Sequence, residues 1–492
     1  MQSQPIVNPV TIKPWRIIAL SLPGLVALAD LLIWQAGTPR LSLAVFVVAV
    51  VGAAQLLAGP GIGRRATVFG WSGVVLGVLA VVEEVQTLSV LILILGMTHA
   101  AAWFAAGSDA PWAVIVRAGW RWFGQAILRS VADIWKLGQG VVSARIGRAG
   151  LAHLMRDWAL PLGLGGLFVL LFISANPVLD TWALAVSNWS PDIRLNLWRV
   201  LFWLVIAGLV WPLLRLPAMR PRLLTPAKAP TKARSAVHLP EAVLNPRSVV
   251  RALLTFNLIF ALQTGLDLTY LWGGVGLPDG MTHATYAHRG AYPLVVTALL
   301  AGGFALITQP FLKGQPLLRG LMFLWTAQNI LLVVSSILRL DLYVDAYGLT
   351  RLRFAAFIWM GLVVAGLVLM VWQVACEKPV RWLFARAGLL GLSAVYVCSF
   401  INVAGLVARH NLARSNQDFD HYYLCTLGPG AAVAIAQAER ATGTDYCFSD
   451  DPLFVKAPQD LREWGYRNYR LRNSLAALAA SPLVQPEVRT QP

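Results

Sequence analysis

Charge is what this chain has least of. Only 13% of its 492 residues are Asp, Glu, Lys or Arg, about half the share carried by ordinary soluble domains. That is too few to dress the surface of a water-soluble protein of this length. Cysteine is nearly absent as well, with four in the whole chain. This excludes a disulfide-dense secreted scaffold, and no CxxC spacing for zinc or redox chemistry occurs. There is no P-loop, GxSxG, HExxH or Rossmann fingerprint. The Ser, His and Asp residues show no triad-like spacing. Neither a catalytic residue nor a cofactor is therefore expected. The formal charge of +17 comes without a nucleic-acid-binding module, so no nucleic-acid partner is expected. The excess Lys and Arg read instead as the cytoplasmic flanks of membrane helices.

What is present is apolar. Hydrophobic residues make up 57% of the chain, mean hydropathy is +0.64 and there are 20 Trp. Apolar runs long enough to span a bilayer fall near 17–34, 41–58, 67–82, 85–104, 158–178, 196–214, 249–275, 291–312, 318–338, 354–376 and 388–408. The third and fourth are parted only by Glu83 and Glu84, which suits a tight helical hairpin turning at water. The first run holds Asp30 and lacks a small-residue cleavage site, so it is expected to stay as an anchor. The fold class predicted is an all-α integral membrane protein. It has about eleven transmembrane helices, one cytoplasmic amphipathic interfacial helix and a small helical extracytoplasmic C-terminal domain.

Cation placement gives the orientation. Lys13 and Arg16, Arg64 and Arg65, the Arg-rich segment from Arg117 to Arg156, the segment from Arg215 to Arg251, Lys313 with Arg319, and Lys378 with Arg381 and Arg386 all fall in alternate connections. The other connections hold only Arg40, Arg194, Arg199, Arg289, Arg339, Arg351 and Arg353. The N-terminus is predicted in the cytoplasm and the C-terminus outside, in a bacterial cytoplasmic (inner) membrane. Within the cytoplasmic segments, residues 111–140 alternate at helical period between a cationic arc (Arg117, Arg121, Arg129, Lys136) and an apolar one (Val116, Trp120, Phe123, Ile127). Such a helix lies in the membrane plane against anionic headgroups. The organisation that follows is a six-helix half over 1–214, a basic Pro-rich cytoplasmic linker over 215–248, a five-helix half over 249–409 and a helical tail over 410–492.

Three stretches in the second half carry a resemblance: THATYAHRGAYPL at 282–294, LDLYVDAYGLTRLRF at 340–354 and INVAGLVARHN at 401–411. DHYYL at 420–424 and LREWGYRNYRLR at 461–472 add to it. Over roughly 250–475 the chain resembles a family of bacterial multi-pass membrane proteins known only as the domain of unknown function numbered four-one-seven-three. The resemblance implies a membrane fold and a place in the bacterial cell envelope. It brings no reaction, substrate or catalytic residue. This chain has Val403-Ala404 where the family usually has Pro-Asp, and Gly428-Pro429-Gly430 where a Ser-Pro-Asp type turn is usual. Any work done by those acidic positions elsewhere is missing here.

Site residues have to be argued from physics. An ionisable group inside a span is costly and therefore a candidate. Asp267 is the foremost, with Gln263 and Tyr270 on the same helical face. The connection above it offers His283, His288 and Arg289, and Arg339, Asp341 and Asp345 approach from the ninth and tenth helices, with Gln328 and Asn329 deeper in. Two readings stand. One is an outward-opening polar cavity roofed by the histidine loop, in which the Arg289 fork and the imidazoles meet phosphate or carboxylate. The other is an ion pair between Asp267 and Arg289, Arg339 or Arg353 that fixes helix packing. Asp279, His283 and His288 are too few, and too irregularly placed around Gly280, for a metal site to be expected. Asp30 and His99 read as satisfied structural groups. In the tail, Cys425 and Cys447 face an oxidising compartment if the orientation holds, and are expected to pair.

Two functions are compatible with this. The first is a transporter or flippase-like component binding an anionic lipid or small envelope precursor at the cavity. The second is a non-transporting assembly or sensing protein, acting through the tail on an envelope protein partner and through the cytoplasmic helix on membrane lipids.

Overall fold

The computed structural model describes residues 14–143, 197–225, 245–269, 297, 300–312, 314–414, 420–447 and 453–481. It divides into two compact units, Met1–Ala227 with Pro458–Tyr466 and Lys228–Ala457 with Arg467–Pro492. The division falls inside the linker, but the tail does not stay together, since 458–466 go with the first unit. Every element among the described residues is helical. Among the described residues, seven helices are long and apolar enough to cross a membrane: Leu41–Ala58, Arg64–Glu83, Thr87–Ala106, Pro246–Asp267, Pro316–Tyr347, Arg351–Ala375 and Val380–Phe400. Three shorter apolar helices, Ser21–Trp34, Trp198–Leu214 and Leu300–Leu312, match other predicted runs. The run at 158–178 lies outside the described residues.

The first unit contains α1 (Pro14–Ala29), which continues as a π-turn over Asp30–Trp34, then α2 (Leu41–Ala58), α3 (Arg64–Glu83), α4 (Thr87–Ala106), α5 (Trp112–Ser143), α6 (Leu197–Leu214) and α7 (Leu216–Leu224). α3 and α4 form the expected hairpin, and small residues bring them together. A Cβ on Gly77 would lie 2.7 Å from Leu93 Cα, and one on Gly96 would lie 2.3 Å from the Gly73 carbonyl oxygen. Close backbone approach of this kind replaces the hydrophobic drive that is lacking between helices in lipid. His99 sits in the same interface, its Nε2 at 3.0 Å from the Phe69 carbonyl oxygen. Asp30 is held by Arg199 Nε at 2.7 Å, Trp203 Nε1 at 2.8 Å and Gln35 Nε2 at 3.1 Å.

The two ends of this unit differ. At one, Ser108 Oγ donates to the Ile62 carbonyl and accepts from Ala66 N, and Arg220 Nε reaches the Ala105 carbonyl. α5 lies across this end, with Trp112 against Trp103 of α4 and Ser130 Oγ donating to the Gly208 carbonyl of α6. At the opposite end of α2 the tail segment docks. Arg40 N donates to the Arg462 carbonyl at 3.3 Å, Leu41 N to the Trp464 carbonyl at 3.1 Å and Thr38 N to Glu463 Oε1 at 3.3 Å. Residues 458–465, part of the expected helical tail, are instead a short extended and 3-10 segment that satisfies the backbone donors at the start of α2.

The second unit contains α8 (Pro246–Asp267), α9 (Leu300–Leu312), α10 (Pro316–Tyr347), α11 (Arg351–Ala375) and α12 (Val380–Phe400), followed by α13 (Val403–Leu412), α14 (His421–Cys425), α15 (Ala432–Thr442) and α16 (Tyr466–Ala480). The polarity of α8 is inverted relative to a soluble helix. Leu258 and Leu262 are 74% and 69% exposed, while Asn257 and Asp267 are 7% and 1% exposed. Apolar residues outside and polar residues inside are what an apolar solvent selects.

Two boundaries correct the expected ones. α10 was expected to end near 338 but continues to Tyr347, so Arg339, Asp341 and Asp345 lie on the helix itself. Nothing breaks it before Gly348, whose φ of +77° ends it. The last expected span, 388–408, is two helices. α12 stops at Phe400, and Asn402 caps α13 by accepting from Gly405 N at 3.1 Å. The start of the expected Pro-rich linker is also helical, as α7.

A candidate polar seam between α8 and α10

α8 and α10 pack along a line of buried polar residues. α8 contributes the buried Asn257 and Asp267 with the half-buried Gln263 and Thr264, and α10 contributes the buried Thr326, Gln328, Asn329, Ser336 and Arg339. Ten residues separate Asn257 from Asp267, about 15 Å along the axis, so the line covers roughly half a hydrocarbon core. It begins where Asn257 Nδ2 bridges the two helices, donating to the Leu253 carbonyl at 2.8 Å and the Leu321 carbonyl at 3.1 Å. It ends at an ion pair. Arg339 Nη2 donates to Asp267 Oδ1, which also accepts from Gln263 Nε2 at 3.0 Å. The side chains of Arg339 and Asp267 are 4% and 1% exposed. Charges enclosed to that degree persist only where they compensate each other.

Between these ends the α10 hydroxyls and amides fold back on their own helix. Thr326 Oγ1, Asn329 Nδ2 and Ser336 Oγ each donate to the carbonyl one turn earlier, all at 2.8 Å. That leaves other polar atoms over. Among the described residues, Asn257 Oδ1, Thr264 Oγ1, Gln328 Oε1, Asn329 Oδ1 and Trp325 Nε1 are buried without a hydrogen-bond partner. Buried polar atoms nearly always find partners, and each one that does not costs about 1–3 kcal/mol. Trp325 closes the other end of the line against Phe256, Phe260 and Phe304, whose ring centroids lie 5.3, 5.9 and 5.5 Å away.

Of the residues predicted for the site, the structure brings together Asp267, Gln263 and Arg339. Asp341 is exposed, and Asp345 is drawn into a different assembly, where it meets Arg414 at 3.3 Å. Tyr270, His283, His288 and Arg289 lie outside the described residues. Asn257 and Thr264 were missed by the sequence reading. They are seven residues apart, two turns of one helical face, and that spacing was the available signal.

The 340–354, 401–411 and 420–424 stretches meet in a small cap built on the Asp345 end of α10. Asn411 Oδ1 accepts from Leu349 N at 2.7 Å, and its Nδ2 donates to the Leu349 carbonyl at 3.0 Å. Tyr423 Oη accepts from Arg351 N at 2.9 Å, and Arg351 donates to the Leu427 carbonyl. Val344, Leu349, Val407, Leu424, Leu427 and Ile435 form its core. Cys425 and Cys447 are joined by a disulfide, with Cα atoms 5.8 Å apart. No group of three or more His, Cys, Asp or Glu able to hold a metal ion occurs among the described residues.

Long apolar helices enclosing polar seams are compatible with the class of multi-pass membrane proteins. Within that class the chain belongs to a family, Domain of unknown function (DUF4153), whose profile matches residues 71–438. No curated protein and no solved structure matches it.

Proposed function

We propose that the chain is a substrate-handling component of a bacterial inner membrane, transporter or flippase-like, that takes the polar part of an anionic lipid or small envelope precursor into the α8–α10 seam from outside. The observation that supports this reading is the set of buried, unpartnered polar atoms on Asn257, Thr264, Gln328 and Asn329. They supply buried hydrogen-bonding capacity to spare, and hydroxyl or amine donors on a ligand would meet the amide oxygens. The Asp267–Arg339 pair lies at the mouth, where the carboxylate is positioned to yield Arg339 to an incoming anion.

The full topology of eleven spans, with the N-terminus inside and the tail outside, belongs to the same reading. Two features favour it. The tail segment docks at one end of α2, and Arg64, Arg65 and α7 are at the other. α5 leaves Trp112, Val116, Trp120 and Phe123 exposed in a stripe, while Ile115, Ala118 and Trp122 are buried. That is the division expected of a helix whose outer face enters the headgroup region. Arg121, predicted to face headgroups, instead donates to the Leu223 carbonyl near the end of α7.

The test is water access. In a chain with Cys376 and Cys398 replaced by Ser, Asn329→Cys and Thr264→Cys should react with a small, membrane-impermeant cationic thiol reagent added outside intact cells, since thiolates form only in contact with water. A lipid-facing control, Leu258→Cys, should not. Protection of both seam positions from the outside would refute the outward-opening reading.

A further inference from the structure

At the opposite end of the second unit from the cap, a cavity of about 440 Å³ lies between the end of α9, the start of α10 and the turn from α11 to α12. A second concavity, of about 470 Å³, shares Arg319 with it. The first is lined by Gln309, Arg319, Gln373, Glu377 and Lys378 on its polar side and by Pro310, Leu312 and Val380 on its apolar side. The turn is built rather than loose. Gln373 is 1% exposed and its amide donates to the Lys378 carbonyl, while Lys378 N donates back to the Gln373 carbonyl at 2.9 Å. Glu377 is held at φ +50°, a conformation that L residues adopt only when their surroundings impose it. Arg319 Nη1 meets Glu377 Oε1 at 3.1 Å, and its Nη2 reaches the Ala375 carbonyl at 3.3 Å. Against the single Glu377 stand Arg319 and Lys378, so the lining is net cationic. Trp372 and Trp382 flank the turn, their rings 6.4 Å apart, with the Arg386 guanidinium 5.9 Å from the Trp382 ring. Paired Trp with Arg marks the headgroup level of a bilayer.

We propose that this cavity is a binding site for the headgroup of an anionic phospholipid. Arg319 and Lys378 meet the phosphate, Gln309 supplies a further hydrogen bond, and the acyl chains follow the exposed apolar surface of Val368, Trp372, Phe384 and Leu389. Basic pockets between helix ends at a membrane surface have this ligand chemistry. The apolar wall of Pro310, Leu312 and Val380 selects an amphiphile over free phosphate. The site does not depend on the reading of the α8–α10 seam.

The test uses the full chain in detergent, with phosphatidylglycerol or phosphatidylcholine titrated in and bound lipid counted by native mass spectrometry. Wild type should retain phosphatidylglycerol in preference. Each cation near a headgroup contributes about fivefold, so Arg319→Gln with Lys378→Gln should weaken retention about 25-fold. Arg64→Gln with Arg65→Gln, the same charge change at a position in the first unit, should leave retention unaltered. Equal losses in both doubles, no headgroup preference in wild type, or displacement of the lipid by inorganic phosphate alone would each overturn the assignment. Thermal melting checks folding. Should Arg319→Gln not fold, Lys378→Gln alone must still lose about fivefold, and Arg319→Lys must retain the lipid.

Discussion

Replacing Asp267 by Asn removes the carboxylate that Arg339 faces, while the guanidinium stays enclosed. With side-chain exposures of 4% and 1%, water can do little to relieve that charge. Breaking a buried pair in this way costs about 3–5 kcal/mol. The same molecule carries its own comparison. Asp345, whose side chain is 61% exposed, meets Arg414, and exposed pairs contribute about 0–1 kcal/mol. Asp345→Asn should therefore be nearly silent. The decisive variant is the double replacement Asp267→Leu with Arg339→Met, which removes both charges and both desolvation penalties. It should recover most of the stability lost in the single variant. The assay is reversible unfolding in mixed micelles, comparing the two single variants and the double with wild type. A loss below about 1 kcal/mol for Asp267→Asn, or a double as damaged as the single, would show that the pair is not an enclosed, mutually compensating unit.

Gly96→Ala should disrupt the α3–α4 hairpin, because the added Cβ would lie 2.3 Å from the Gly73 carbonyl oxygen, a backbone atom that cannot rotate away. Overpacking of this kind costs about 1–3 kcal/mol, whereas Gly124→Ala, with open space around it, should be tolerated on thermal unfolding. Loss of the Cys425–Cys447 bridge, which closes a loop of 22 residues, should cost the cap about 3 kcal/mol in the chain-entropy model. Hydrogen exchange should then rise in residues 421–447 and stay unchanged in α3 and α4. A uniform rise throughout the chain would contradict the cap as a separately stabilised element.

Much of the helical frame was legible because lipid imposes a simple rule on sequence. α2 coincides with its apolar run at 41–58, and the Glu83–Glu84 pair marks the hairpin turn. The errors came where a polar residue is satisfied from far away. Arg339 reads as the end of a span, yet its partner Asp267 is 72 residues distant, and only the folded contact makes the charge admissible inside a helix. Arg381 and Arg386 similarly pushed the expected start of the last span inward. In the structure they lie within α12, where long cationic side chains can extend toward water, and Arg386 stacks on Trp382. For the site, Asp267, Gln263 and Arg339 were found as isolated ionisable or amide groups. Asn257 and Thr264 were not: their seven-residue spacing puts them on one helical face, but it names no partner until the facing helix is known. The destination of residues 458–466 was illegible for the same reason, as it depends on backbone donors more than 400 residues earlier in the chain.

One consequence follows from the length of α10. At 32 residues it measures about 48 Å, longer than the hydrocarbon is thick, and after Pro316 it holds no proline to bend it. It is a strut. Arg319 stands near one tip, Asn329 at mid-length and Val344 near the other, so the basal cavity, the seam and the cap are mounted on one stiff member. A push on the cap is felt at Arg319 as a tilt or a slide, with little chance of being absorbed on the way. The strut is jointed at both ends by single glycines in left-handed conformations, Gly314 at φ +73° and Gly348 at φ +77°. Those two residues, remote from every polar contact in the seam, set the axis about which the member can turn.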